Sequence, residues 1–227
     1  MTIEIMVMYA VVGLIAGVLA GLLGVGGGIV IVPMLVFCFV RQGVQPEVMM
    51  HLALGTSLAS IMFTSISSCL AHHRRGAVLW PIVRRITPGI LLGTFLGTFV
   101  ASRLSTGFLR VFFCVFLYVI ATQMLLNKKP KPSRELPGTG GMFEVGGVIA
   151  VAGALGYVVN NLHTAGLPEW SLGGVYLPAL LFIVCGSVLT APFGARLAHA
   201  LPVDKLKRIF AVFLYIVATR MVWGMLA

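Results

Sequence analysis

The sequence has few charged residues. Only 10% of its 227 residues are Asp, Glu, Lys or Arg, 59% are hydrophobic, and the mean hydropathy is +1.05. A soluble domain of this length needs far more polar surface. The composition therefore excludes a soluble globular protein and predicts that most of the chain lies in a lipid bilayer.

Acidic residues are the scarcest of all. The six that occur lie at the ends of apolar runs or between them: Glu4, Glu47, Glu135, Glu144, Glu169 and Asp204. A transporter that holds a cation or relays protons usually carries an ionisable group at membrane depth. The absence of such a carboxylate argues against cation transport.

The sequence also lacks the motifs of enzymes and metal sites. It contains no HExxH, no GxSxG and no paired intramembrane Asp, so we predict that it is not an enzyme and has no catalytic residues. Its four cysteines fall in or beside apolar runs without CxxC spacing, and the adjacent His72 and His73 have no third ligand nearby. We therefore predict no metal and no cofactor.

The net charge of +10 comes from short basic clusters between the apolar runs. These clusters form no basic face and no pattern with aromatic residues, which argues against nucleic-acid binding. Basic loops orient membrane proteins, and we interpret the clusters in that way. The N-terminus has no basic region of a cleaved signal peptide, so we expect the first apolar segment to remain in the protein.

Apolar runs of membrane-spanning length fill most of the chain. They lie at about 6–40, 50–71, 78–101, 108–126, 143–160, 171–195 and 206–226. The first run is too long for one helix, and we expect a helix to about Leu23, a glycine bend and a shorter return segment to about Phe39. The sequence predicts an all-α polytopic membrane protein with seven or eight membrane segments.

The glycine bend is the main candidate for a binding site. It contains Gly24, Gly26, Gly27 and Gly28, with Pro33 shortly after them. Irregular backbone at membrane depth is tolerated only where protein buries it or where it lines a cavity. A helix that starts there presents unpaired N–H groups and a positive dipole end to an anion. The alternative is that these glycines only permit close helix crossing.

Three other residues are candidates for contact with the anion. Thr56 and Ser57 can donate hydroxyl hydrogen bonds, although hydroxyls in membrane helices often bond to backbone or to a neighbouring helix instead. Arg196 can supply a positive charge, but it lies close to the cytoplasmic end of its run, where an anchoring role is the alternative.

An internal repeat joins the two halves of the chain. Residues Gly76–Met124 align without gaps on Gly173–Met221 at an offset of 97, with 18 of 49 positions identical. Counting crossings places the basic loops on one side, which is the cytoplasmic side by the positive-inside rule, with both termini outside. The halves are then inverted repeats, as in many secondary transporters. We predict a first repeat at 1–126, a basic cytoplasmic linker at 127–142 and a second, shortened repeat at 143–227.

Several motifs resemble those of the sulfite exporter TauE/SafE family of membrane permeases. They are Gly21–Gly28 with Pro33, Leu54–Ser57, Leu172–Leu180, Leu189–His199 and Lys207–Ala211. The resemblance implies an all-helical permease of the bacterial inner membrane that moves small sulfur-containing anions such as sulfite or organosulfonates. The family repeats the glycine-rich broken helix in its second half, whereas here residues 10–50 have no counterpart there.

We therefore expect an inner-membrane permease whose partners are membrane lipid and a small anionic substrate. The alternative is a non-transporting, degenerate paralogue or an assembly subunit that lacks the second hairpin. A homo-oligomer is left open by the sequence.

Overall fold

The computed structural model describes residues 2–23, 27–73, 80–126, 139–162, 164–200 and 203–226. These residues form eight helices and one pair of short strands. In chain order they are α1 (Ile3–Leu23), α2 (Gly28–Gln42), α3 (Pro46–His73), α4 (Trp80–Arg103), α5 (Thr106–Leu126), α6 (Thr139–Asn160), β1 (Ser171–Leu172), β2 (Val175–Tyr176), α7 (Leu177–Ala200) and α8 (Val203–Leu226). The predicted all-α membrane fold is confirmed.

Four helices are long and apolar enough to cross a membrane, judged by length and composition within the described residues. They contain the stretches Ile3–Leu22, Pro46–Ser65, Thr106–Leu126 and Leu177–Gly194. By contrast, α2 has 15 residues and measures about 22 Å, which is less than the roughly 30 Å of hydrocarbon in a bilayer. The first apolar run is thus a broken hairpin made of one full helix and one short helix, as its glycines predict.

The segment before α7 differs from the prediction. A helical run is expected from about residue 171, but 171–176 form a two-stranded antiparallel hairpin in which Ser171 pairs with Tyr176. The turn between the strands is Gly173-Gly174, and Gly173 has a φ of 54°, a left-handed conformation that glycine adopts without cost. The turn delays the start of α7 to Leu177.

Glycines on α1 and α7 bring these two helices into backbone contact. A Cβ atom at Gly13 would lie 2.7 Å from the carbonyl oxygen of Ile183, and one at Gly186 would lie 2.9 Å from the carbonyl carbon of Gly13. Further along, Gly17 faces Ser187. Contacts advance in the same direction on both helices, so the pair is parallel. This is small-residue packing of the GxxxG type, and it joins the first helix of the chain to the second half.

A reciprocal contact between α5 and α8 joins residues that the sequence repeat pairs. The rings of Tyr118 and Tyr215 have centroids 5.5 Å apart. The Tyr118 hydroxyl lies 3.0 Å from Thr219 Oγ1, and the Tyr215 hydroxyl lies 2.5 Å from Thr122 Oγ1. The repeat also pairs Thr122 with Thr219. The contact of Tyr118 with Thr219 is therefore repeated by the contact of Tyr215 with Thr122, as in two units related by a two-fold axis.

The direction of α5 and α8 follows from a shared groove. This apolar groove of about 620 Å³ lies between α1, α2 and α8, and both Arg110 and Arg220 line it. Arg110 is near the start of α5 and Arg220 is near the end of α8, so the two helices run antiparallel. Repeat mates that run in opposite directions are what an inverted repeat requires.

Candidate anion site at the start of α2

The start of α2 is shaped by Gly27. This residue has a φ of 75° and precedes the first helical residue, and its carbonyl oxygen accepts hydrogen bonds of 3.0 Å from the N–H groups of both Val30 and Ile31. No side chain caps this end. Within the described residues, the N–H groups of Gly28 and Ile29 have no acceptor, so they are the donors that the first turn offers.

This helix start lies between α1 and α3, inside the protein. A Cβ at Gly27 would be 3.1 Å from the Ala16 carbonyl oxygen, and a Cβ at Gly28 would be 2.5 Å from Ile61 Cδ1. Ile61 follows Ser57 by about one turn of α3, and Ser57 is about 16 Å along the axis from Pro46 and about 24 Å from His73. The donors of α2 are therefore at membrane depth, where the bilayer supplies no water for them.

Beside this helix start lies the polar side chain of Ser57. It is 1% exposed, and its hydroxyl oxygen would lie 3.5 Å from a Cβ at Gly28. This hydroxyl is buried and has no hydrogen-bond partner among the described residues. A buried polar group is nearly always paired because an unpaired one costs about 1–3 kcal/mol. Ser57 and the first turn of α2 thus place unpaired donors side by side.

Three other hydroxyls of α3 are paired within the protein. Thr56 Oγ1 accepts a hydrogen bond of 2.9 Å from the backbone N–H of Tyr176, which links α3 to β2. Ser60 donates to the Thr56 carbonyl oxygen, and Thr64 donates to the Ser60 carbonyl oxygen. These bonds are the backbone contacts expected of hydroxyls in membrane helices. Adjacent residues on α3 therefore differ, since Thr56 connects two elements and Ser57 faces the glycine start.

Of the remaining candidates, the structure describes the surroundings of Pro33 alone. Pro33 is buried five residues further along α2, on another side of the helix, and lines the groove beside α8. Gly24 and Gly26 lie outside the described residues. Arg196 belongs to α7, but its side chain is also outside what the structure describes. The structure thus brings Gly27, Gly28 and Ser57 together, and a role in substrate binding stays a prediction for all the candidates.

A buried polar contact that the sequence did not reveal lies at the opposite end of α2. The Tyr9 hydroxyl donates to Gln42 Oε1 at 2.6 Å, and Gln42 Nε2 donates to the Tyr176 hydroxyl at 2.7 Å. The rings of Tyr9, Phe39 and Tyr176 contact one another. The short helix is therefore held at its outer end by α1 and β2. No spacing signal joins these distant residues, although Tyr176 lies in one of the family-like motifs.

Acidic side chains are few among the described residues. The three carboxylates whose side chains the structure describes are Glu4, Glu47 and Glu169, and all are exposed at helix starts or in a loop. No group of three His, Cys, Asp or Glu side chains that could hold a metal occurs within the described residues. The donors at the start of α2 are neutral, which suits reversible binding of a small anion.

This helical bundle holds a broken helix whose second piece starts with donors that have no acceptor in the part of the chain that the structure describes, and broken helices of this kind are typical of membrane transport proteins. Comparison with known proteins agrees. The sulfite exporter TauE/SafE family matches residues 9–159 and 145–221, and the chain belongs to this family.

Curated relatives are named as transporters. A "Probable membrane transporter protein" of Haemophilus influenzae is 34% identical over 252 residues, which cover 92% of this chain and 95% of the relative. The "Probable membrane transporter protein YunE" of Bacillus subtilis is 35% identical over 126 residues, covering 56% of this chain and 46% of that protein. No solved structure matches. The chain is therefore a multi-pass membrane protein of a transporter family.

The Haemophilus influenzae relative has more residues than this chain in the stretch where the two align. The aligned stretch of 252 positions is longer than the 227 residues of this chain, so the relative contains residues that have no counterpart here. The two ranges matched by the family overlap at residues 145–159, within α6. That the missing residues are a second glycine-rich hairpin stays a prediction.

Proposed function

We propose that this protein is a permease that moves small sulfur oxyanions, sulfite or organosulfonates, across the bacterial inner membrane and catalyses no chemical reaction. The observation that carries the proposal is the buried Ser57 hydroxyl, which lacks a partner among the described residues and faces the start of α2. Family membership supports transport as the activity.

The donors fit an oxyanion. The N–H groups of Gly28 and Ile29 and the hydroxyl of Ser57 each donate to an anionic oxygen, and the positive end of the α2 dipole adds to the attraction. Sulfite and sulfonate groups offer three oxygens on one centre, so several donors can act at once. The Ile61 side chain beside Gly28 gives an apolar surface for the carbon substituent of a sulfonate.

Release of the anion depends on the same neutral hydrogen-bond donors. Hydrogen bonds from neutral groups hold an anion less tightly than a buried Lys or Arg does, and a transporter must let its substrate go. The donors at the start of the short helix α2 lie inside the protein. Exposure of these donors to one side of the membrane and then to the other completes a transport cycle.

The test is uptake of labelled sulfite and methanesulfonate into proteoliposomes that contain the purified chain, with sulfate and chloride as comparison anions. We expect saturable uptake of a sulfur oxyanion that an excess of the unlabelled anion suppresses. Uptake no greater than in protein-free vesicles for all four anions would overturn the proposal.

A second candidate is a non-transporting subunit, which is favoured by the residues that the Haemophilus influenzae relative has and this chain lacks. The same vesicles distinguish it. If uptake occurs only when a full-length family member is reconstituted with this chain, the chain is a subunit and not a permease by itself.

A further inference from the structure

The helix α4 carries a row of glycines with nothing packed against it. Gly89, Gly93 and Gly97 recur at every fourth residue, and a Cβ atom at any of them would meet no other atom within 4 Å. The opposite side of α4 is occupied, since Thr98 meets Gly156 of α6. One face of a membrane helix is therefore shaped for close approach and is unpartnered within the described residues.

The internal repeat indicates which kind of helix packs against such a face. At the offset of 97, the row on α4 corresponds to Gly186, Thr190 and Gly194 on α7. That row is filled within the chain because α1 packs against it, and Thr190 Oγ1 donates to the Leu14 carbonyl oxygen at 3.0 Å. The equivalent of α1 for the second half would belong to the stretch that has no counterpart here. The face on α4 thus has the shape that receives a parallel helix with small residues, and none of the described helices lies there.

We propose that α4 of a second copy of this chain occupies the face, so that the protein is a homodimer. In the second copy, α1 is already packed on its own α7, whereas its α4 presents the same open row of glycines. A two-fold axis along the membrane normal makes the two α4 helices parallel, which is the arrangement of α1 and α7.

The neighbouring side chains complete the fit. Leu92, Leu96 and Val100 follow the glycines at the same spacing of four and are 68%, 62% and 58% exposed. They form a ridge beside the glycine groove. Rotation by the two-fold axis places the ridge of one copy in the groove of the other, which is ridge-into-groove packing. The face is self-complementary, as an isologous dimer requires.

The experiment measures the association of the full-length chain in lipid vesicles by single-molecule photobleaching at several protein-to-lipid ratios. We expect the wild type to form dimers and Gly93→Leu to raise the dissociation constant by at least about tenfold. Gly107→Leu is the matched control, because Gly107 is also an exposed helical glycine with no atom within 4 Å of its Cβ position but lies outside the row. At both positions an added Cβ meets no atom of the described residues within 4 Å, so both variants should fold.

Formation of a disulfide between two copies gives a second measurement of the dimer. In a variant without native cysteines, Leu96→Cys should form an intermolecular disulfide in native membranes, whereas Val119→Cys, on the exposed side of α5, should not. Wild-type monomers at all ratios would overturn the proposal. So would equal dimerisation of Gly93→Leu and wild type, or recovery of another protein in place of a second copy on the face. Transport by monomers would leave the proposed function standing, so the two proposals fail separately.

Discussion

Replacing Ser57 with Ala tests whether its hydroxyl binds the anion. A hydrogen bond to a charged group contributes about 1.5–3 kcal/mol, so its loss should raise the apparent dissociation constant for the anion about 10- to 150-fold. The free energy of unfolding should stay the same or increase, because the removed hydroxyl is buried and has no partner among the described residues. Binding and stability are therefore expected to change independently.

The structure offers a close control on the same helix. Ser60 is buried like Ser57, but its hydroxyl donates to the Thr56 carbonyl oxygen at 2.8 Å. Ser60→Ala should leave the anion concentration for half-maximal uptake within about twofold of wild type and lower stability by less than about 1 kcal/mol. The two variants differ only in which of two serines loses its hydroxyl.

The assay is concentration-dependent uptake in proteoliposomes, with unfolding in detergent measured on the same preparations. Wild-type uptake by Ser57→Ala, together with lower stability, would refute the reasoning and make this hydroxyl a structural group. Equal loss of uptake in the two variants would also refute it, because the effect would then come from general damage to α3.

Other changes follow from the same contacts. Gly28→Ala should reduce uptake because the added methyl group fills the space in front of the Ser57 hydroxyl. Adding Ile61→Val to this variant should restore stability without restoring uptake. Uptake and thermal unfolding of both variants test this. Gln42→Leu removes both hydrogen bonds at the outer end of α2 and should lower the free energy of unfolding by about 1 kcal/mol, measured by denaturant titration. Gly17→Leu should abolish accumulation of folded protein because the new side chain meets the α7 backbone, which a size-exclusion profile in detergent tests.

Much of the fold follows from the sequence because the bilayer imposes simple rules. Apolar length predicts the helices, and the glycine run predicts where the first one breaks: α1 ends at Leu23, as expected. The sequence does not predict the hairpin at 171–176, because two-residue strands have no periodicity and the apolar run continues through them.

The candidate site could be predicted only in part. Glycines followed by a helix indicate an anion site, and the structure places Gly28 beside Ser57. Thr56 and Ser57 look equivalent in the sequence, yet one accepts a hydrogen bond from Tyr176 and the other faces α2. Which of two neighbouring hydroxyls faces a given helix depends on how α3 rotates against distant elements, and no local pattern carries that information. The contact of Tyr9 with Gln42 depends on tertiary packing in the same way.

The glycine crossing of α1 and α7 also has a mechanical consequence. Through it, Gly17 of α1 lies against Ser187 of α7, while the preceding residue, Ala16, has its carbonyl oxygen 3.1 Å from the Cβ position of Gly27. The wall behind the donors of α2 is thus supported by α7. A shift of α7 against α1 would move that wall relative to the donors. In this family member, a helix of the second half supports one side of a candidate site that lies in the first half.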